Sequence, residues 1–169
     1  MIRPRTLAPP LRVDTLEGSP WALEHRSPER FTMIVFYRGR HSPSCRAQLE
    51  KLASLTDRFA AMGIDLIAIS GDSRERAEAT RAEWEVEGLP LGYEIDEVTM
   101  RSWELFISRA NTDEEPDTFC EPGVFIVDGE QKLFFCARTS MPFGRPDLEE
   151  LAASLESAIE HDDPARGDA

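Results

Sequence analysis

The sequence contains few cysteines, with only three of them in 169 residues. An odd number of widely spaced cysteines predicts neither a disulfide framework nor a zinc site, and it fits a protein of the reducing cytoplasm. The glycine spacing that cradles a nucleotide after a strand is also missing, and no cluster of metal-ligating side chains is visible. We therefore expect no cofactor and no metal ion.

The chain also has little positive charge and no long apolar run. Its 19 basic and 32 acidic residues give a net charge of −13, so neither nucleic acid nor an anionic membrane surface is an expected partner. No apolar run approaches the roughly 20 residues that cross a bilayer, and Met1–Arg5 leads into prolines rather than a signal-peptide core. We expect a soluble cytoplasmic protein with one domain over residues 1–160 and a polar, frayed tail over residues 161–169.

One segment has the features of a strand that delivers a cysteine to the start of a helix. Residues 31–37 are rich in aromatic and β-branched side chains, which is typical of a strand buried on both faces. Ser42 can cap a helix and Pro43 suits its first position, which places Cys45 at the third helical position. If Ser44 is the cap instead, Cys45 becomes the first helical residue. Either interpretation places the thiol in the first turn.

The first turn of a helix favours a negatively charged group, because its N–H groups are free and the helix dipole is positive there. Four nearby residues can add positive charge, namely Arg38, Arg40, His41 and Arg46. In such surroundings the pKa of a cysteine falls from about 8.5 toward roughly 3.5–7.5, and the thiolate attacks peroxides and disulfides. We take Cys45 to be the reactive thiol, with an inert buried cysteine as the alternative.

The run from Phe36 to Leu49 resembles the active-site segment of the peroxiredoxins, the alkyl hydroperoxide reductase/thiol-specific antioxidant family. That family has Thr or Ser, two further residues and then the reactive cysteine, and Ser42-Pro43-Ser44-Cys45 matches this spacing. The chain is more closely similar to a subgroup with the motif F-Y-R-G-x-H-C-P-x-C-x-x-Q-L. Every fixed position of that motif matches except the first cysteine, where this chain has Ser42.

The resemblance implies an α/β, thioredoxin-like fold. We expect a central mixed sheet of four or five strands flanked by four helices, with an N-terminal β-hairpin over residues 11–18. The apolar periodicity predicts one continuous helix from the cysteine to about Met62. Asp72 is expected to cap the next long helix, and Asp128-Gly129 predicts a two-residue type I′ turn between two strands.

The resemblance also implies roles for individual side chains. Cys45 would attack a hydroperoxide, Ser42 would position it, and Arg38 and Arg145 would stabilise charge on the leaving oxygen. Arg145 lies in a P-x-G-R segment similar to the one from which peroxiredoxins send an arginine to the active site, although a solvated loop arginine is the alternative. The activating arginine that most peroxiredoxins carry near residue 122 is missing here.

Three further residues are candidates for the site. Pro122 is similar in position to the cis-proline of thioredoxin-like folds, where it would align a substrate, and an ordinary proline that opens a strand is the alternative. His41 can align the substrate or tune the thiol, unless it is a solvated turn residue. Cys120 is the preferred resolving thiol, because Cys136 lies in an apolar strand.

These features predict a thiol-dependent antioxidant oxidoreductase that reduces hydroperoxides. Its reductant would be a thioredoxin-type protein or a low-molecular-weight thiol, and the family suggests a homodimer. Two alternatives stay open. One is a thioredoxin-like disulfide oxidoreductase in which Ser42 replaces the first cysteine, and the other is a noncatalytic, redox-sensing thiol module.

Overall fold

A computed structural model describes residues 1–169 and confirms the α/β, thioredoxin-like fold with its mixed sheet and N-terminal hairpin. The elements in chain order are β1 Arg12–Thr15, β2 Trp21–Ala22, β3 Phe31–Phe36, α1 Pro43–Ser54, α2 Thr56–Ala61, β4 Ile64–Ile69, α3 Arg74–Glu83, β5 Leu91–Tyr93, α4 Glu97–Ser102, β6 Ile107–Arg109, β7 Thr118–Cys120, β8 Gly123–Asp128, β9 Leu133–Arg138 and α5 Leu148–Glu160.

The central sheet has seven strands, in the order β2-β1-β5-β4-β3-β8-β9, so the expected four or five strands are too few. The difference arises because β1 pairs with β5 as well as with its hairpin partner β2, which joins the hairpin to the sheet. Strands β3, β4 and β5 run parallel, and the remaining pairs are antiparallel. The sequence did not predict β6 and β7, which form a separate two-stranded sheet.

The central strand β3 is buried on both faces, as its composition predicts. Its alternate side chains enter two clusters of the core, because successive residues of a strand point to opposite faces. Val35 packs into a cluster with Cys45 and Leu49, whereas Phe36 packs into a second cluster with Trp103. This strand therefore anchors the segment that delivers the cysteine.

The predicted long helix is interrupted at Leu55, where α1 ends and α2 begins. Hydroxyl groups near the interruption bond to backbone carbonyls one turn earlier, from Ser54 to Lys51 and from Thr56 to Ala53. Such bonds offer the backbone an alternative to regular helix. The cap of α3 also differs from the prediction, because its N-cap is Ser73 rather than Asp72.

The hairpin between β8 and β9 is present, but its turn is longer than the predicted two residues. The Asp128 carboxylate accepts the N–H groups of Glu130 and Lys132, both at 2.9 Å. Gln131 takes the left-handed conformation with φ 65°, whereas Gly129 does not. The aspartate side chain therefore organises a turn that the type I′ pattern does not describe.

Part of the polar tail over residues 161–169 lies against the N-terminus, and the tail has no helix or strand of its own. The guanidinium of Arg5 donates to the Ala165 carbonyl at 3.0 Å and pairs with the Asp168 carboxylate at 3.1 Å. None of the helices has both the length and the apolar character that crossing a membrane requires.

Candidate active site

Helix α1 begins as the first interpretation of the sequence predicts. Ser42 is the N-cap, Pro43 is the first helical residue, and the Cys45 N–H donates to the Ser42 hydroxyl oxygen at 3.3 Å. Ser42 and Cys45 are both buried. The serine therefore fixes the first turn, and its own O–H is left to donate to another acceptor.

Two N–H donors reach the Cys45 sulfur. The backbone N–H of Arg38 lies 3.4 Å from Sγ. Nη2 of Arg145, which is 100 positions further along the chain than Cys45, also lies 3.4 Å from Sγ. Hydrogen bonds to an ionised acceptor are stronger than bonds between neutral groups. Together with the start of α1, these donors form an environment that stabilises a negatively charged sulfur.

The guanidinium of Arg145 is held over the thiol by two further bonds. Its Nη1 donates to the Ser44 carbonyl at 2.8 Å and to Oε1 of Gln48 at 3.0 Å. Both acceptors belong to α1, so the loop that carries Arg145 is fastened to the helix that carries Cys45. The structure thus brings together three of the predicted site residues, Ser42, Cys45 and Arg145.

The Arg38 side chain does not reach the thiol, which corrects its expected role. Its Nε forms an ion pair with the buried Glu121 at 3.2 Å, and Nη2 lies 3.6 Å from Glu115. The guanidinium also lies 4.7 Å from the centre of the Phe119 ring. The Arg38 guanidinium therefore pairs with two carboxylates, and only the Arg38 backbone N–H contacts the sulfur.

His41 packs against the same aromatic residue rather than against the thiol. Its ring lies 4.7 Å from the Phe119 ring in an edge-on arrangement, and neither ring nitrogen has a hydrogen-bond partner. Burial lowers the pKa of His41, because it disfavours the imidazolium. The His41 side chain therefore packs against an aromatic ring next to the cysteine turn and forms no hydrogen bond to the thiol.

Pro122 follows a trans peptide bond, so the expected cis-proline is wrong. The next residue, Gly123, opens β8 opposite Phe36, and the Pro122 carbonyl accepts the Thr139 N–H at 3.0 Å. Pro122 therefore directly precedes β8, which agrees with the alternative of an ordinary proline that opens a strand. Its register places it next to the end of β3, close in the fold to the cysteine turn.

Neither of the two other cysteines shares the core cluster of Cys45, although Cys120 lies near it, because the Tyr37 carbonyl that Cys120 contacts and the Arg38 N–H that contacts Cys45 belong to one peptide group. The Cys120 thiol is fully buried and donates to the Tyr37 carbonyl at 3.3 Å, and burial raises its pKa strongly. Cys120 packs into the second core cluster, and the half-buried Cys136 contacts that same cluster, whereas Cys45 belongs to the first. This arrangement argues against Cys120 as the resolving thiol, since a neutral, hydrogen-bonded thiol is a poor nucleophile.

Sequence reasoning assigned no site role to two buried carboxylates near the cysteine turn, Asp72, which was expected only to cap a helix, and Glu121. Asp72 accepts the Arg40 N–H at 2.7 Å, and Glu121 accepts the Ser108 hydroxyl at 2.6 Å. A signal for Asp72 existed, because it follows β4, which runs parallel to β3, and the carboxyl ends of parallel strands meet at one edge. Glu121 follows the short strand β7, and the sequence did not predict that strand, so it gave no comparable signal for Glu121.

The fold and site define a thioredoxin-like protein with a single cysteine at the start of a helix. The chain matches the AhpC/TSA family over residues 4–135, and it belongs to that family. No curated protein sequence matches it.

Solved structures with the same fold are distant in sequence. The mitochondrial 2-Cys peroxiredoxin of Plasmodium falciparum superposes with a TM-score of 0.76 at 16% identity, covering 100% of both chains. AhpC from Enterococcus faecalis gives a TM-score of 0.77 at 18% identity, with 98% of this chain and 99% of that chain covered. AhpC from Mycobacterium tuberculosis gives 0.75 at 15% identity, covering 96% and 95%.

Proposed function

We propose that this protein is a thiol peroxidase in which Cys45 reduces hydroperoxides. The observation that carries the proposal is the pair of N–H donors on the Cys45 sulfur, from the Arg38 backbone and the Arg145 guanidinium. A sulfur held between two donors at a helix start is suited to act as a thiolate nucleophile. Family membership supports the same chemistry.

In the proposed reaction the Cys45 thiolate attacks the terminal oxygen of a hydroperoxide, and the O–O bond breaks. The sulfur gains that hydroxyl as a sulfenic acid, and the remaining oxygen leaves as an alkoxide or hydroxide that takes up a proton. Charge develops on both oxygens as the bond breaks. Arg145 supplies a fixed cation at this place, and the free O–H of Ser42 supplies a donor, so neither group has to reorganise during the reaction.

The sulfenic acid is then reduced by an external thiol. One thiol forms a mixed disulfide with Cys45 and releases water, and a second thiol displaces Cys45 and carries away the disulfide. A thioredoxin-type protein or a low-molecular-weight thiol has this chemistry. The burial of Cys120 and its raised pKa favour an external reductant over an internal one.

Three finer assignments belong to the same proposal. We place the chain in the subgroup with the F-Y-R-G-x-H-C-P-x-C motif, modified at Ser42, because residues 36–45 otherwise match it. We place the protein in the cytoplasm on its cysteine usage. A homodimer is the expected assembly, and sedimentation of the purified protein tests it.

The test is the second-order rate constant for the reaction of Cys45 with hydrogen peroxide. It is measured in the Cys120→Ser/Cys136→Ser protein, in which Cys45 is the one remaining thiol. We expect a rate far above that of a small thiol of matched acidity, a sulfenic acid trapped by dimedone in the mass spectrum, and none of either in Cys45→Ser. An ordinary rate would contradict the proposal. A slow rate accompanied by oxidation-dependent association would instead identify a redox-sensing module.

The internal-disulfide alternative has its own measurement. After one equivalent of peroxide without reductant, we expect the wild-type protein to carry a sulfenic acid and no disulfide to Cys120. A disulfide that maps to Cys45 and Cys120 would restore Cys120 as the resolving thiol.

A further inference from the structure

The turn that leads into α1 is held from behind by a buried carboxylate on another element. Asp72 follows β4, its side chain is fully buried, and it accepts the backbone N–H of Arg40 at 2.7 Å. Arg40 lies two residues after Arg38, whose N–H contacts the Cys45 sulfur. The same short turn therefore bonds to the carboxylate at one point and to the thiol at another.

The Asp72 carboxylate is itself fixed from several sides. Its backbone N–H donates to the Ser70 hydroxyl at 3.2 Å, and its carbonyl accepts the Glu94 N–H at 2.9 Å. Nε of Arg76 donates to the carboxylate at 3.0 Å, which supplies the counter-charge that a buried anion needs. An acceptor held this firmly can determine where the Arg40 amide lies.

Gly39 shows how closely the turn and the carboxylate fit together. A Cβ placed on Gly39 would lie 2.6 Å from Oδ1 of Asp72, and the glycine has φ 134°, a region that other residues rarely adopt. Only a glycine allows the carboxylate to approach the backbone between Arg38 and Arg40. The conformation of the turn and the position of Asp72 are thus matched.

We propose that Asp72 is a positioning residue for the Cys45 reaction, because its hydrogen bond to the Arg40 amide sets the turn that aims the Arg38 N–H at the sulfur. The inference rests on the proposed peroxidase function for its consequence in rate. Asp72 itself has no hydrogen bond to Cys45. It acts through three residues of backbone, and a small displacement of that backbone is sufficient to misplace a donor.

The first test compares three variants in the single-thiol background. Asp72→Ala removes the acceptor, and we expect the rate with hydrogen peroxide to fall about ten- to a hundredfold. Asp72→Asn keeps an oxygen acceptor for the Arg40 amide and should recover most of the rate, although it loses the charge that pairs with Arg76. The matched control is Ser73→Ala, which removes the α3 cap from the adjacent residue and should leave the rate unchanged. Equal losses in Asp72→Ala and Ser73→Ala, or no rescue by Asp72→Asn, would overturn the inference.

A second readout does not depend on peroxidase activity. We expect hydrogen exchange at the Arg38 and Arg40 amides to accelerate in Asp72→Ala and to stay slow in Asp72→Asn and Ser73→Ala. Unchanged exchange in Asp72→Ala would overturn the positioning role even if the rate fell. Accelerated exchange in a protein whose wild type lacks peroxide reactivity would refute the proposed function and leave the positioning intact.

Gly39→Ala provides a variant that keeps the carboxylate, should Asp72→Ala fail to fold. The added methyl group must displace either Asp72 or the turn, so we expect a loss of rate similar to that of Asp72→Ala. Retention of the full rate in Gly39→Ala would contradict the inference.

Discussion

Nη2 of Arg145 lies 3.4 Å from the Sγ atom of Cys45, although the two residues are separated by 100 positions in the chain. The same guanidinium donates to the Ser44 carbonyl and to Gln48 on α1. A loop near the C-terminus therefore completes the environment of a thiol whose other donor, the Arg38 N–H, comes from the turn just before α1. This contact is the most direct connection in the structure between a cation and the reactive atom.

Replacing Arg145 with alanine is expected to lower the peroxide rate constant of Cys45 by about a hundred- to a thousandfold. This is the usual cost of removing one preorganised donor from a site where charge develops. Arg145→Lys keeps a positive charge but not the planar fork that reaches Ser44, Gln48 and Cys45 together, so it should recover only part of the loss. Stopped-flow kinetics in the single-thiol background measures both.

Arg58→Ala is the matched control for Arg145. Arg58 also joins two separate elements, since it pairs with Glu156 of α5, but it has no contact with the cysteine turn. Its removal should leave the rate unchanged. A similar loss in Arg58→Ala and Arg145→Ala would show that the effect comes from lost charge or stability rather than from the contact with Cys45.

Ser42 should contribute to stability as well as to the site. Its hydroxyl caps α1 through the Cys45 N–H, and replacing a serine cap with alanine costs about 0.5–2 kcal/mol of unfolding free energy. Ser42→Thr retains a capping hydroxyl and should lose only a small part of this. Urea unfolding measures the difference. Equal stability of wild type and Ser42→Ala would show that the cap does not support the helix.

Much of the fold could be predicted because local chemistry determines it. The largely apolar β3 and the Ser42 cap followed by Pro43 at the start of α1 depend only on neighbouring residues, and the structure has both. The pairing of β1 with β5 could not be predicted in the same way, because it joins residues about 80 positions apart. The short strands β6 and β7 lack a distinct apolar pattern of their own.

The same distinction between local and long-range determinants applies to the site. The position of Cys45 in the first turn of α1 follows from the serine and proline before it, so the sequence indicates it directly. The partner of the Arg38 guanidinium is set by tertiary packing, and nothing near Arg38 in the chain points to Glu121. The role of Asp72 was misassigned for a similar reason, since an aspartate before a helix usually caps it, whereas here the next serine does.

The ion pair between Arg38 and Glu121 should matter more for stability than for catalysis. Glu121 is 3% exposed, and Arg38 lies 3.2 Å from it. Arg38→Met leaves this carboxylate buried without its partner, which costs about 3–5 kcal/mol in comparable buried pairs. We expect a correspondingly lower free energy of unfolding in urea, with the Cys45 peroxide rate within a few-fold of wild type, because the contact with sulfur is made by the backbone.

The double variant Arg38→Met/Glu121→Gln separates the cost of an unpaired Glu121 charge from the cost of the altered Arg38 packing. The glutamine removes the unpaired charge and keeps an oxygen that can accept the Ser108 hydroxyl. We expect it to restore more than half of the stability lost in Arg38→Met, as a double-mutant cycle would report. A double variant as unstable as the single one would show that the charge of Glu121 is not the source of the cost.

His41 should make the stability of the fold depend on pH near neutrality. Burial lowers its pKa in the folded state, and the charges facing it act in both directions, with Asp72 and Glu115 opposing and Arg38 and Arg76 reinforcing the shift. A histidine of lowered pKa binds its proton less readily when folded than when unfolded. Its contribution is therefore fully present above the unfolded pKa of about 6.5 and is lost as the pH falls through the lower, folded pKa.

The measurement is urea unfolding between about pH 7.5 and 5.5, above the range in which most carboxylates titrate. We expect the wild-type protein to lose stability over this interval, and His41→Phe to lose less, because phenylalanine can keep the edge-on packing against Phe119 without a titrating group. The other two histidines, His25 and His161, are exposed and are present in both proteins, so the difference in slope isolates His41. Parallel profiles for the two proteins would mean that burial of the His41 ring does not couple its protonation to folding.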